Sequence, residues 1–263
     1  MTPFSLMMLR LALLIVLPGV SSLSLSTTRS RTAAARTALL EALQSTTMDE
    51  PRIVHSLLEI ERAQKVGFVS GDFIDLAVAG DWVLAYPKPR ASNVTITAIR
   101  QKLELRDGAG TSRNLLEWTL DDETRGGVFE THAVVSATKE DRSSFAFQLD
   151  KHFLRPRGFS FRRAAVEPQD VVAGIARAAP PELFDPHHTH DTLVYADPHL
   201  KVTKAFNIGD DDEPPLIDGG VEASSSSTDE MAPPGTARRG ALLSWHVWLR
   251  DDPSLGFPLP HRR

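Results

Sequence analysis

The chain contains no cysteine, so it cannot form a disulfide in any compartment. It also has no acidic side chain before Glu41, although Asp and Glu together number 34 in the 263 residues. An acid-free start is typical of a targeting segment and not of a folded domain. The chain has 41% hydrophobic and 24% charged residues with a net charge of -5, which predicts a globular protein and argues against nucleic acid as a partner.

The acid-free start divides into two segments of different composition. Met7–Val20 is a short apolar run that Pro18-Gly19 breaks and small residues follow, which predicts a secretory signal peptide at residues 1–22. Residues 23–37 are rich in Ser, Thr, Ala and Arg, as in a transit peptide. A signal peptide followed by a transit peptide predicts delivery through the secretory route to a secondary plastid, one enclosed by extra membranes.

Two other destinations remain open. Plain secretion is favoured by the glycosylation sequon Asn93-Val94-Thr95 and disfavoured by the absence of cysteine. The apolar run Met7–Val20 is an alternative membrane anchor, although it is short for a bilayer span.

The periodicity of the remaining chain predicts a mainly β protein with helices at its N-terminus. Asp49 is placed to cap a helix, and a shorter helix precedes it at Thr37–Gln44. From Ala79 to Phe161 the hydrophobic period is two, with short turns between strands, and an antiparallel barrel is the arrangement that leaves no free edge. The predicted strands are 82–86, 94–99, 102–105, 116–120, 128–137, 143–149, 159–161, 192–195, 200–206 and 241–249, with a short helix at 171–178.

The domain organisation follows from these elements. We expect the helix pair and barrel at residues 38–206 and the last barrel strand at 241–250. The segment 207–240 between them is rich in Asp, Glu, Ser and Pro, which predicts a disordered acidic loop, and 251–263 is expected to be a loose tail.

Three motifs resemble the plastid lipid-associated protein family, also called fibrillins. They are the first-strand segment with Gly80, Trp82 and Tyr86, the Phe129-Glu130 step, and the later strand with Tyr195, Asp197, Leu200 and Lys201. The acidic segment 207–240 and Pro87-Lys88-Pro89 depart from the family pattern, so the resemblance is to a divergent member. It implies a lipocalin-like barrel that binds or retains apolar isoprenoid lipids, such as quinones, tocopherols or carotenoids, at thylakoid or plastoglobule surfaces. It also implies peripheral contact with plastid membranes or lipid droplets.

Aromatic residues are the candidate ligand contacts of such a barrel. The candidates are Trp82, Tyr86, Trp118, Phe145, Phe147 and Trp245, and alternation alone does not show which strand face points inward. Trp82 is also suited to plug one barrel end, and Asp197 and Lys201 are expected to pair or to cap a turn.

The sequence predicts no catalytic residue, no cofactor and no metal. No catalytic or phosphate-binding motif is present, and His187-His188-x-His190 is the only metal-like cluster. An enzyme or assembly factor that uses the barrel as a pocket, with His132 or the 187–190 segment in its chemistry, remains an alternative to a lipid-binding protein. A secreted lipocalin-type carrier is a second alternative.

Overall fold

The computed structural model describes residues 21–45, 47–64, 71–120, 124–138, 143–161, 166–184, 189–207 and 242–252. The chain forms two compact units, one ending at Val66 and the other beginning at Gly67. Residues 1–20 of the predicted signal peptide, the acidic loop after Asn207 and most of the tail fall outside the described residues.

The first unit consists of two helices that pack against each other, α1 (Ser21–Gln44) and α2 (Glu50–Gln64). Asp49 caps α2 as the sequence predicts, because its Oδ1 accepts a hydrogen bond of 3.1 Å from the backbone N–H of Arg52. The Arg52 guanidinium also forms an ion pair of 2.8 Å with Glu41 on α1. No helix in the described ranges is long and apolar enough to cross a membrane.

The second unit contains a closed barrel of eight antiparallel strands, each paired with the next and the last paired with the first. This confirms the predicted fold class, a mainly β chain with N-terminal helices and a lipocalin-like antiparallel barrel. The strands are β1 (Gly80–Tyr86), β2 (Thr95–Arg106), β3 (Ala109–Thr119), β4 (Gly126–Ala137), β5 (Ser144–Arg157), β6 (Thr189–Ala196), β7 (Leu200–Asn207) and β8 (Leu242–Arg250).

In the described part of the second unit, three further helices accompany the barrel: α3 (Gly71–Val78), α4 (Pro168–Ala178) and α5 (Pro181–Phe184). α3 leads into β1, and its Ile74 and Val78 join an apolar cluster at one end of the barrel, here called the α3 end. α4 and α5 lie between β5 and β6 in the chain, and their apolar side chains join a larger cluster at the opposite end, called the α4 end. The sequence predicts α4 correctly and misses α3, which is only 8 residues long.

The sequence-based prediction divides the strands wrongly in two places. β2 is one strand of 12 residues, where the polar pair Arg100-Gln101 suggested a break between two strands; Gln101 is in fact buried. β5 continues to Arg157 through a polar stretch, so Phe159 and Phe161 are not strand residues. Both pack instead against the α4-end cluster, where the rings of Phe159 and Trp118 meet edge to face at 6.1 Å.

Replacement of Gly80 by alanine is expected to lower the free energy of unfolding by about 1–3 kcal/mol. Gly80 has a φ of 122°, and a Cβ there would lie 1.8 Å from Nη1 of Arg250. Arg250 cannot move away freely, because Nη1 donates a hydrogen bond of 2.8 Å to the Ala79 carbonyl. Urea unfolding of Gly80→Ala checks this expectation, and an unchanged midpoint would contradict it.

Candidate functional site: the barrel interior

The strand register identifies the inner face of the barrel. Trp82 pairs with Gln101, Gln101 with Asn114, and Lys201 with Trp248, so these side chains share one face of the sheet. All five are buried, and Lys201 on β7 donates a hydrogen bond to Gln101 on β2, which is not a neighbouring strand, so this is the inward face. Their strand neighbours, such as Lys102 and Arg113, point outward.

Four of the six aromatic candidates lie on the inner face: Trp82, Trp118, Phe145 and Phe147. Tyr86 and Trp245 do not. A bulge between Leu84 and Tyr86 pairs Tyr86 with Val247, an outward residue, although simple alternation would put Tyr86 beside Trp82. Trp245 pairs with Lys204 on the outer face, and the Lys204 Nζ lies 4.3 Å from its ring centroid.

Trp82 lies beside the polar centre of the barrel and is hydrogen-bonded to the end of α3. It is fully buried, and its indole N–H donates a hydrogen bond of 2.8 Å to the carbonyl of Val78 at the end of α3. The guanidinium of Arg250 stacks on its ring at 3.9 Å. These contacts join the Trp82 ring to α3 and to β8.

A band of polar side chains, here called the polar layer, separates the two apolar clusters. Its centre is Lys201, whose Nζ donates a hydrogen bond of 2.6 Å to Oε1 of Gln101 and lies 4.9 Å from the ring of Trp82 and 5.0 Å from that of Trp248. Gln101 in turn donates a hydrogen bond of 3.1 Å to Asn114. The polar layer therefore connects β2, β3 and β7 inside the barrel.

Lys201 does not have the role expected from its sequence motif. Asp197 caps the β6–β7 turn, since its Oδ1 accepts hydrogen bonds from the backbone N–H groups of His199 at 2.7 Å and Leu200 at 2.8 Å. Lys201 takes no part in this turn and points into the interior. The sequence gives no signal for this, because a lysine between two apolar strand residues is normally assigned to the solvent face.

The interior shifts the titration of two charged groups. Burial lowers the pKa of the Lys201 ammonium group to about 7, against a smaller opposing effect of Asp191. Burial also raises the pKa of the Asp191 carboxyl group, which receives a long hydrogen bond of 3.4 Å from Thr203. Both shifts favour the neutral forms of the two groups.

Glu182, His246 and Ser244 form a second buried polar group that sequence reasoning missed. Glu182 comes from α5, and its Oε1 lies 2.8 Å from Nε2 of His246; Ser244 Oγ is 2.9 Å from the same nitrogen and also donates to Glu182. Burial would raise the pKa of Glu182, but the bonds from His246 and Ser244 hold it below its usual range. In a hydrolytic triad the carboxylate and the serine occupy opposite ring nitrogens, so this geometry does not make Ser244 a nucleophile.

His132, the other catalytic candidate, lies outside the barrel interior. Its Nε2 is 2.6 Å from Oε1 of Glu130, a buried carboxylate on the outer face of β4 that also pairs with Arg113 and, at 3.2 Å, with Arg155. Burial alone would raise the pKa of Glu130, but the hydrogen bonds from Arg113 and His132 outweigh this effect and lower the pKa. The motif residue Glu130 thus holds β3, β4 and β5 together, whereas Phe129 faces inward and stacks on Phe184 at 4.9 Å.

Four buried polar atoms of the inner face have no hydrogen-bond partner within the described ranges: Trp118 Nε1, Thr131 Oγ1, His246 Nδ1 and Trp248 Nε1. An unsatisfied buried donor or acceptor costs about 1–3 kcal/mol, so such groups normally have a partner in a protein, a water or a ligand. The barrel interior therefore has donors and acceptors that a water or a ligand can satisfy.

The barrel wall is weakest between β5 and β6. These strands pair only at Ser144–Ala146, so β5 from Phe147 to Arg157 has β4 as its one strand partner among the described residues. Of the inner-face side chains beside this seam, Phe147 packs against the α3-end cluster and Leu154 against the α4-end cluster.

Within the described residues, no group of three or more His, Asp or Glu side chains is placed to hold a metal ion. Of the histidine cluster, 187 and 188 lie outside the described part, and His190 stacks on Phe206 at 5.2 Å. Comparisons with family models, with curated proteins and with solved structures found no match to this chain.

Proposed function

We propose that this protein binds an apolar isoprenoid lipid, such as a quinone, tocopherol or carotenoid, inside its barrel and is not an enzyme. The observation that carries the proposal is the inner face, which presents apolar side chains from all eight strands and also contains buried polar atoms without partners. An eight-stranded barrel is about the size that holds one small ligand. Affinity would come from burial of the isoprenoid chain, at about 25 cal/mol per Å².

Filling the interior is expected to weaken lipid binding. Ala133 faces inward on β4 and is buried, whereas its neighbour Val134 faces outward and is 50% exposed. Ala133→Phe should therefore reduce by about tenfold or more the affinity for a long-chain quinone, measured by quenching of tryptophan fluorescence.

Val134→Phe adds a ring on the opposite face and is the matched control, which should bind as the unmodified protein does. Chelators should have no effect on either variant. Equal quenching by all three proteins, or no quenching by any, would contradict lipid binding in the barrel.

The alternatives receive less support from the same geometry. His132 is engaged with Glu130 on the outer face, and the Glu182–His246–Ser244 group lacks the arrangement of a hydrolytic site.

We also propose that the protein works in a secondary plastid, at thylakoid or plastoglobule surfaces, as the targeting segments and the family resemblance suggest. A fusion of residues 1–45 to a fluorescent protein should enter the plastid of an alga with a secondary plastid. Deletion of Met7–Val20 should leave the fusion in the cytosol. Accumulation in the medium would favour the secreted carrier instead.

A further inference from the structure

At one position in the polar layer, hydrogen-bond donors outnumber their acceptors. Lys201 on β7 and Trp248 on β8 are direct cross-strand partners on the inner face. Trp248 Nε1 can only donate, and it has no acceptor within the described ranges. The Lys201 nitrogen carries more than one N–H, and among the described residues Gln101 is the acceptor it reaches.

Two of the other three unpartnered atoms in the described interior, those of His246 and Thr131, are on the same inner face, whereas Trp118 Nε1 lies in the α4-end cluster. His246 Nδ1 is on the same face of β8, two residues from Trp248, and Thr131 is the cross-strand partner of Asn114. Because ionised Glu182 can only accept, it fixes a proton on Nε2 of His246 and leaves Nδ1 directed elsewhere. Three strands therefore present polar atoms to the same central region.

We propose that the barrel recognises the oxygen-bearing end of its ligand through Lys201 and Trp248, and so selects isoprenoids that end in a hydrogen-bond acceptor over pure hydrocarbons. This inference rests on the proposed function, since it names the ligand class of the same interior. A carbonyl or similar oxygen would accept from both donors, while the isoprenoid chain lies against the apolar clusters. A hydrocarbon of the same shape would leave the Trp248 N–H, and the N–H of Lys201 that Gln101 does not accept, buried without a partner.

A pair of probes tests this selection with almost no change in shape. Phytone is a saturated isoprenoid methyl ketone, and pristane is the hydrocarbon with the same skeleton, in which a methyl group replaces the carbonyl oxygen. Each is delivered to the purified full chain from cyclodextrin and quantified by gas chromatography after gel filtration of the protein. We expect phytone to be retained about tenfold or more above pristane, the effect of about one hydrogen bond to a charged or buried donor.

Two variants assign the preference to these residues. Lys201→Met keeps the side-chain length without a donor, and Trp248→Phe keeps an aromatic ring without the N–H; each should reduce the preference for phytone several-fold. Lys204→Met is the matched control, because Lys204 is on the same strand but faces outward. It should keep the full preference.

The outcomes separate the two claims. Equal retention of both probes would overturn the inference, since the donors would then be satisfied by water, and would leave lipid binding standing. Retention of neither probe would overturn lipid binding and this inference together. A preference unchanged in both Lys201→Met and Trp248→Phe, with each variant folded by circular dichroism, would also overturn the assignment.

Discussion

Replacement of Lys201 by methionine is expected to stabilise the barrel near neutral pH and to flatten its pH dependence on the alkaline side. Burial lowers the pKa of Lys201 from 10.5 to about 7 in the folded protein. Between these values the unfolded chain binds more protons than the folded one, so stability rises with pH by up to ~1.4 kcal/mol per pH unit. Below pH 7 Lys201 is protonated in both states, and its buried charge destabilises the folded state.

The gain in unfolding free energy from Lys201→Met should therefore be largest at about pH 7 and below, and should shrink towards pH 10.5. Loss of the hydrogen bond to Gln101 should reduce this gain by ~1–3 kcal/mol at every pH. Urea unfolding followed by tryptophan fluorescence across this range measures the difference. Lys204→Met, which removes a lysine from the outer face of the same strand, should run parallel to the unmodified protein. If Lys201→Met also runs parallel, Lys201 is not titrating inside the barrel.

Replacement of Trp82 by alanine is expected to lower the free energy of unfolding by about 3–5 kcal/mol. The change removes a fully buried ring, the hydrogen bond to Val78, and the stacking surface for Arg250. The substitution would also remove the contact by which the Trp82 ring joins the barrel to α3.

Trp245→Ala provides the comparison within the same fold. Trp245 is on the outer face and only partly buried, and its ring makes a cation–π interaction with Lys204. Loss of this cation–π interaction should lower the free energy of unfolding by about 1 kcal/mol or less. Similar urea midpoints for the two variants would contradict the structural role given to Trp82.

The fold could be predicted from the sequence because it depends on periodicity and turns. Alternating strands such as Leu116–Trp118 and the Asp107-Gly108 turn specify local structure directly, and both turn residues have the positive φ that such a hairpin needs. Closure then follows from the need to leave no free edge. The predicted strand bounds are less accurate where a polar residue such as Gln101 points inward.

The interior could be predicted only in part. Alternation puts Trp82 and Tyr86 on one face, and only a bulge, which leaves no clear mark in the sequence, separates them. Lys201 points into the interior because β2 supplies Gln101 as its partner. Glu182, on a four-residue helix, enters it because β8 supplies His246. Such long-range pairing decides the chemistry of the polar layer, and no local pattern contains it.

The central claim is tested most directly by mass spectrometry of the lipid that the protein carries. The protein is expressed in an alga with a secondary plastid, purified from it and extracted with organic solvent. Our account predicts one isoprenoid species, close to one molecule per chain, which is depleted in Ala133→Phe and retained in Val134→Phe. An extract from folded protein that contains no isoprenoid, or one whose content is the same in both variants, would contradict the binding of an isoprenoid inside the barrel.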